Sequence, residues 1–482
     1  MDTASLDRRP KRLAALIMAL TVAGFAAAGC ATKRYRAAPI SPVETAQSLQ
    51  SRSLSAPDLQ AFIATNLGQP PRSPDAGWGL PELTLAALYF NPELQVARAG
   101  VVQAEAGVIT AGARLNPSVK GNLGGETLPE SPWIAGLGFS LPIETAGKRR
   151  HRLTAAERLA DVARWNLAAT AWKVRGLVRS ALLESLAGER SLRLLQAQGG
   201  LRLQQVQLLE QRLSVGMISR PEVDTARIQY TQAVLAVRAG EGRLAQAKVS
   251  LAAAIGLPTA ALNDLKMIWT EFDQPPPIES LKPAKIQEDA VLNRLDVRRA
   301  LADYSASEAA LQLEIARQYP DFNLGPDYAF EEGTHLFSVA LDLTLPIFNR
   351  NQGPIAEAKA RREQMAAQFL GVQASGIAES EQALTKYTAA LNQLAQARQL
   401  IQQSVTQEQA TQTSFQAGES DRVALNGAQL QTTVTEVAEL DALVSAQQAL
   451  GDLENAVQRP LLPGDIQTLS PLSPVLHPPA RR

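Results

Sequence analysis

The sequence predicts an α+β membrane protein in which each chain gives four β-strands to a shared wall and carries long helices beyond it. Three observations lead there. First, the chain repeats itself: Pro117 is answered by Pro320, Leu141-Pro142-Ile143 by Leu345-Pro346-Ile347, Val215-Gly216 by Ala417-Gly418, and Leu257-Pro258 by Arg459-Pro460, at offsets of 203, 204, 202 and 202. A register this constant marks a duplication. Second, each copy holds two runs of period-two apolar alternation. Third, each pair of runs is followed by a very long helical tract and a returning helix.

The amino terminus reads as an export signal over residues 1–29. Arg8, Arg9, Lys11 and Arg12 form a basic region, and Leu13 to Ala28 an apolar stretch. It closes on Ala27-Ala28-Gly29-Cys30, similar to the lipobox at which a lipoprotein cysteine is acylated. Cys30 is the only cysteine, so no disulfide can form within one chain; it is either a lipid attachment point or an incidental residue of an ordinary signal. Residues 30–80, rich in Pro, Ser, Ala and Gln, read as an anchored lead segment without a clear period. From Pro81 a helical pattern is expected to continue to Leu115.

The strands come next. Val119, Gly121 and Leu123 alternate with Ser118, Lys120 and Asn122, and Trp133, Ala135, Leu137, Phe139, Leu141 and Ile143 share one face. In the second copy Phe322, Leu324, Tyr328 and Phe330 oppose Asn323, Asp327 and Glu331. Its partner run places Phe337, Val339, Leu341, Leu343, Leu345 and Ile347 against Ser338, Asp342 and Thr344. Runs of about 10 residues suit tilted transmembrane strands with apolar-out, polar-in alternation. A soluble hairpin over a core is the other reading, but Asp327 and Asp342 fit a wet lumen better. Four strands cannot close a barrel and an open edge cannot sit in lipid, so chains must pool strands. A dimer would give eight and a trimer twelve, and the strand count alone does not choose.

Helical tracts are expected at Glu144–Ser214 and Gln352–Gln416, returning over Pro221–Ile255 and Arg422–Val457. At 1.5 Å per residue the longer tracts reach about 100 Å. Aromatic residues make up only 5% of the chain against 45% hydrophobic residues overall, which suits helices wetted on two sides rather than a thick core. Heptad-like leucines at Leu192, Leu195, Leu209 and Leu213 favour side-by-side packing. The first repeat is bounded at 81–257 and the second at 284–460. Residues 258–283, with Pro275-Pro276-Pro277, form a proline-punctuated linker, and 461–482 a tail. Both are expected to pack around the waist of the helices.

Together these features resemble the TolC-like outer-membrane efflux family over residues 80–460. The resemblance implies a homotrimer whose strands form a 12-stranded outer-membrane β-barrel, continued by a periplasmic α-helical barrel. It also implies two partners, a periplasmic adaptor (membrane fusion) protein and an inner-membrane RND-type pump. The segments Leu141 to Arg149 and Leu345 to Gly353 look like those of the heavy-metal cation subgroup, although strand-to-helix corners capped by polar residues would read the same. By resemblance the tips that meet the adaptor are Val215, Gly216, Met217 and Ser219 in one copy and Ala417, Gly418 and Ser420 in the other. Where relatives place acids early in the second returning helix, this chain has Ala424, Leu425, Asn426 and Gly427. A gate of carboxylates must then draw on Glu222, Asp224, Glu419 or Asp421, each of which could equally be a first-turn acid favoured by the helix dipole.

Enzymatic chemistry finds no support. The histidines His151, His335 and His477 are scattered, and no phosphate loop or nucleophile elbow occurs. No cofactor and no resident metal site are expected. The 47 basic and 47 acidic residues balance, with no basic run that would bind nucleic acid. The expected function is a passive exit duct in the outer membrane for heavy-metal cations, with drug efflux or type I secretion as alternatives on the same fold. A non-conducting periplasmic coiled-coil lipoprotein scaffold is the alternative from another class.

Overall fold

The computed structural model describes residues 33–68, 77–125, 133–263, 265–270, 272–281, 286, 288, 292–331, 334–461 and 476. The signal segment, Cys30 and His477 lie outside them. Residues 1–50 form one unit, in which α1 (Pro42–Gln50) is the described element, and residues 51–482 form the other.

The second unit opens with α2 (Pro57–Leu67), α3 (Leu80–Phe90) and α4 (Pro92–Gly112), followed by β1 (Ser118–Gly125), β2 (Trp133–Ile143), α5 (Lys148–Ser214) and α6 (Arg220–Ile255). The second copy repeats this order as α7 (Leu295–Ala316), β3 (Phe322–Glu331), β4 (Thr334–Leu343), α8 (Gln352–Gln416) and α9 (Arg422–Val457). The returning helices have the same length, 36 residues each.

Four boundaries differ from the sequence reading, each for a local reason. The lead segment is not aperiodic coil: it holds α1 and α2, both opened by proline at the first turn, and Leu59, Phe62 and Ile63 of α2 are buried. The helix expected from Pro81 to Leu115 breaks at Asn91, whose extended backbone and side chain cap the Pro92 helix by accepting from the Glu93 amide. The tract expected from Glu144 starts at Lys148, because Ala146 and Gly147 take left-handed conformations at φ 51° and 69°. The fourth strand stops at Leu343, not Ile347. There the Ile347 amide donates to the Leu345 carbonyl, closing a turn over Pro346.

The four strands form one antiparallel sheet in the order β1-β2-β3-β4. Register settles the faces. Val119 pairs with Phe139, Leu141 with Leu324, Leu137 with Tyr328, and Tyr328 with Phe337, so one face is apolar across all four strands. Lys120, Gly138, Asp327 and Ser338 form one row on the opposite face. The edge strands β1 and β4 are exposed along their whole length, with Leu123 90% and Phe337 81% accessible. A soluble sheet would cover such a face. A wall in lipid need not.

The core lies where the middle of α5 meets α3, the end of α9 and the linker. Leu83, Leu88, Leu167, Leu182, Leu450 and Leu453 are buried there, together with Trp269 and Phe272 of the linker and Leu476 of the tail. Charge is buried in it too: Arg175 and Glu454 are fully inaccessible, and a Glu454 carboxylate oxygen lies 3.1 Å from both Arg175 and Arg179. The other oxygen accepts from the Leu461 amide at 2.8 Å. Removing Glu454 would leave two guanidinium groups without their carboxylate, a change that costs about 3–5 kcal/mol. Glu454→Ala is therefore expected to lower the denaturant midpoint strongly, while Lys386→Ala, which loses only the exposed pair with Asp452, shifts it by less than about 1 kcal/mol. Equal effects in chemical unfolding would contradict this.

Candidate functional site: the paired helical tips

The two longest helices end in matched turns. Gly216 and Gly418 adopt φ of 74° and 77°, a left-handed conformation that a β-branched residue resists. In the first turn the Gly216 amide donates to the Leu213 carbonyl and the Met217 amide to Arg212. In the second, the Gly418 amide donates to Phe415 and the Glu419 amide to Ser414. These closures satisfy the last carbonyls of α5 and α8. Val215 and Met217 project into solvent, 69% and 76% exposed, and Ala417 and Gly418 are exposed as well. Ser219 and Ser420 stand at the entries of the returning helices.

The four candidate acids have separate fates. Glu222 closes a capping box, accepting from the Ser219 amide at 3.0 Å and its hydroxyl at 2.8 Å; these bonds hold its carboxyl below the usual range. Asp224 lies 3.6 Å from Arg227 on its own helix. Glu419 is exposed on the turn. Asp421 does two things: it caps α9 by accepting from the Ala424 amide at 2.8 Å, and it meets Arg212 at 2.5 Å. The cap and then the Arg212 guanidinium hold its carboxyl below the ordinary value. Asp421 is thus the one candidate of the four that joins the tip of the second copy to the tip of the first.

Farther from the turns, a cavity of about 620 Å³ opens between α5, α8 and α9, lined by Gln204, Glu408, Asn426, Gln429 and Glu436 among others. Burial, and then Glu408 and Glu439, push the Glu436 carboxyl up. These acids were not singled out from the sequence. Nothing there distinguishes a helix acid that turns inward from one that faces water, since both occur among Gln, Thr and Ala. Asn426, noted only as a departure from relatives' acids, is buried and donates to the Leu201 carbonyl at 3.1 Å, bridging α9 to α5. No group of three or more His, Cys, Asp or Glu suited to a metal occurs among the described residues.

A four-stranded antiparallel sheet joined to two helical hairpins defines a TolC-like outer-membrane channel subunit. The outer membrane efflux protein family matches residues 84–257 and 286–457, and the chain belongs to that family. It is a channel protein of the outer membrane and not an enzyme. The chain is 27% identical over 294 residues, 60% of its length and 67% of the relative's, to the cobalt-zinc-cadmium resistance protein CzcC of Cupriavidus metallidurans. It is 26% identical over 462 residues to the pyoverdine export outer membrane protein OpmQ of Pseudomonas putida, covering 81% of this chain and 95% of that one. The crystal structure of the outer membrane protein VceC from Vibrio cholerae superposes with a TM-score of 0.63 at 19% identity, covering 78% of this chain and 95% of VceC.

The Asp421 linkage has a defined pH window. A carboxyl depressed in the folded state contributes stability above its unfolded value, near 3.8, and loses it as pH falls through the lower folded value. Tip pairing should therefore hold unchanged between about pH 5 and 8. With Arg212 and Asp421 left in place, the distance between spin labels beside them, at Leu213 and Val423, should stay constant across that range; a steep lengthening between pH 5 and 8 would contradict the assignment.

Proposed function

We propose that the chain forms the exit duct of a tripartite efflux system, assembled as a homotrimer with a 12-stranded barrel and an α-helical tunnel. The observation that carries this reading is the sheet itself: one face apolar, the other polar, and both edges unpaired in the single chain. Lipid does not accept such edges, and cyclic closure with two further copies removes them. A coiled-coil scaffold has no use for this sheet. Passage through the tunnel is passive, driven by an inner-membrane RND-type pump and coupled through a periplasmic adaptor. Native mass in detergent and single-channel conductance test the duct: a stable monomer without conductance would sink it.

The adaptor contact is assigned to Val215, Gly216, Met217, Ser219, Ala417, Gly418 and Ser420, because exposed apolar side chains at a matched pair of turns offer a repeated docking surface. Of the acids, Asp421 is the favoured gate residue, through its pair with Arg212. Cys30 is read as the acylated first residue of the mature lipoprotein after removal of residues 1–29. Gly216→Val and Gly418→Val should weaken adaptor binding while leaving membrane insertion intact, as copurification with the adaptor would reveal. Insertion failure in both variants would move these turns from docking to folding.

The cargo is read as divalent heavy-metal cations. The relative named for cobalt, zinc and cadmium resistance supports this, as do the corner segments from Leu141 to Arg149 and Leu345 to Gly353. The pyoverdine exporter supports a second reading, export of an organic molecule. Deleting the gene should lower tolerance to zinc, cobalt and cadmium several-fold, and more than tolerance to lipophilic drugs. Lost drug tolerance with unchanged metal tolerance would overturn the metal reading and spare the duct.

A further inference from the structure

All four strands meet the helices at one end of the sheet, and the charge there is not explained by helix stability and only in part by ion pairing. Lys148, Arg149, Arg150 and Arg152 open α5 with no acid in the first turn. Cations are unfavourable at that end of a helix dipole. Two of them are answered: Lys148 by Asp321 at 2.7 Å and Arg152 by Glu144 at 2.6 Å. Arg149 donates its Nε to the Gly112 carbonyl at 2.7 Å and forms no ion pair with any described residue. Arg114, Arg150 and Arg350 are exposed and form no ion pair with any described residue. At the opposite end of the sheet β3 closes on an exposed acid, Glu331.

A second observation lies beside the arginines. Past the end of β4, Leu345 and Ile347 are 63% and 65% exposed, and Phe348, two residues before Arg350, is 97% exposed. Exposed apolar side chains in the same corner segment as the exposed Arg350, at the end of the sheet that also carries Arg114, Arg149 and Arg150, have the composition of a membrane interface. We propose that this corner end binds anionic phospholipid headgroups. Arg114, Arg149, Arg150 and Arg350 hold the phosphates, while Leu345, Ile347 and Phe348 enter the boundary of the acyl region. A guanidinium suits a phosphate better than an ammonium does, through two parallel N–H donors. The proposal rests on the sheet being the membrane wall of a duct, so conductance is measured on every variant.

The test is native mass spectrometry of the full-length protein in neutral detergent, titrated with phosphatidylglycerol, with phosphatidylcholine and with inorganic phosphate. Phosphatidylglycerol should be retained over phosphatidylcholine, and the preference should fall about fivefold for each charge lost in Arg149→Gln/Arg150→Gln. Arg150→Lys should retain most of it, and Arg193→Gln, far along α5, all of it. High salt should weaken retention. Equal retention of the two lipids, an unchanged preference in the double variant, or displacement of lipid by millimolar inorganic phosphate would each overturn the proposal. Where the double variant does not insert, Arg114→Gln carries the same test. Lost conductance in wild-type protein would instead count against the duct, whereas lost lipid preference with normal conductance in the variants supports the lipid site alone. If Phe348→Ser dissociates the oligomer without changing lipid preference, Phe348 covers a neighbouring subunit and the apolar half of the proposal fails.

Discussion

The burial of one carboxylate between two guanidinium groups is the constraint on which the helical body depends. Glu454 belongs to the last turn of the second copy, Arg175 and Arg179 to the middle of the first copy's longest helix. Their meeting fixes the register of the two copies at the waist. Burying guanidinium groups in a dry place is unfavourable unless other groups share the charge. Here Arg175 lies over the Trp172 ring at 4.7 Å and Arg179 over Trp269 at 5.1 Å, while the Gln447 carbonyl accepts from Arg179 at 2.9 Å. Gly451 completes the fit, because a Cβ there would stand 2.3 Å from an Arg179 nitrogen. Trp269 comes from the proline-rich linker, and Gln447 also donates to the Phe272 carbonyl, so the linker is part of the charge cluster rather than a mere connection.

Away from the waist the same helices are thin. Of the few buried positions along α8, Ala383, Tyr387, Ala390 and Leu394 belong to the waist core, and those outside it are the small Gly376, Ser380 and Ser404, which let helices approach without a large core. Such a wall holds its length by register at the waist and by closure of its turns. The two turns are built alike and capped differently: the first spends its acid on its own capping box at Ser219 and Glu222, the second shares Asp421 with Arg212 of the other copy. Duplication supplied the turn. Divergence of a single cap residue supplied a link between the hairpins.

How much of this was legible in the sequence varies with the range of the interaction. The strands, their faces and the turns at Gly216 and Gly418 follow from alternation and from glycine's freedom at positive φ, both local signals. Breaks that depend on one residue's backbone, at Asn91 and at Ala146-Gly147, were missed, because Asn and Ala inside an apolar-periodic stretch read as helix until a neighbour fixes them. In the lead segment α1 and α2 are too short to show a period. The waist cluster was invisible for another reason: Arg175 and Glu454 are 279 positions apart, and each looks like any helix charge until the fold removes water from both. Of the candidate acids, only tertiary structure could separate Asp421 from Glu222, since both are first-turn acids by sequence.

A wall built this way selects poorly, and that bears on where specificity resides. The polar face of the sheet is made of short or opposite-signed groups, with Lys120, Gly138, Asp327 and Ser338 in one row and Asn323 opposite Asp342. A row of mixed sign gives no strong field along the passage, and glycine and serine supply no tight ligand. Conduction favours this, because a site that held a cation firmly would also release it slowly. On the proposed function, discrimination between cargoes would belong to the partners that load the duct. The chain's own chemistry is concentrated instead at its boundaries, in the Arg212–Asp421 pair where the tunnel ends and in the unpaired arginines where the sheet meets the helices.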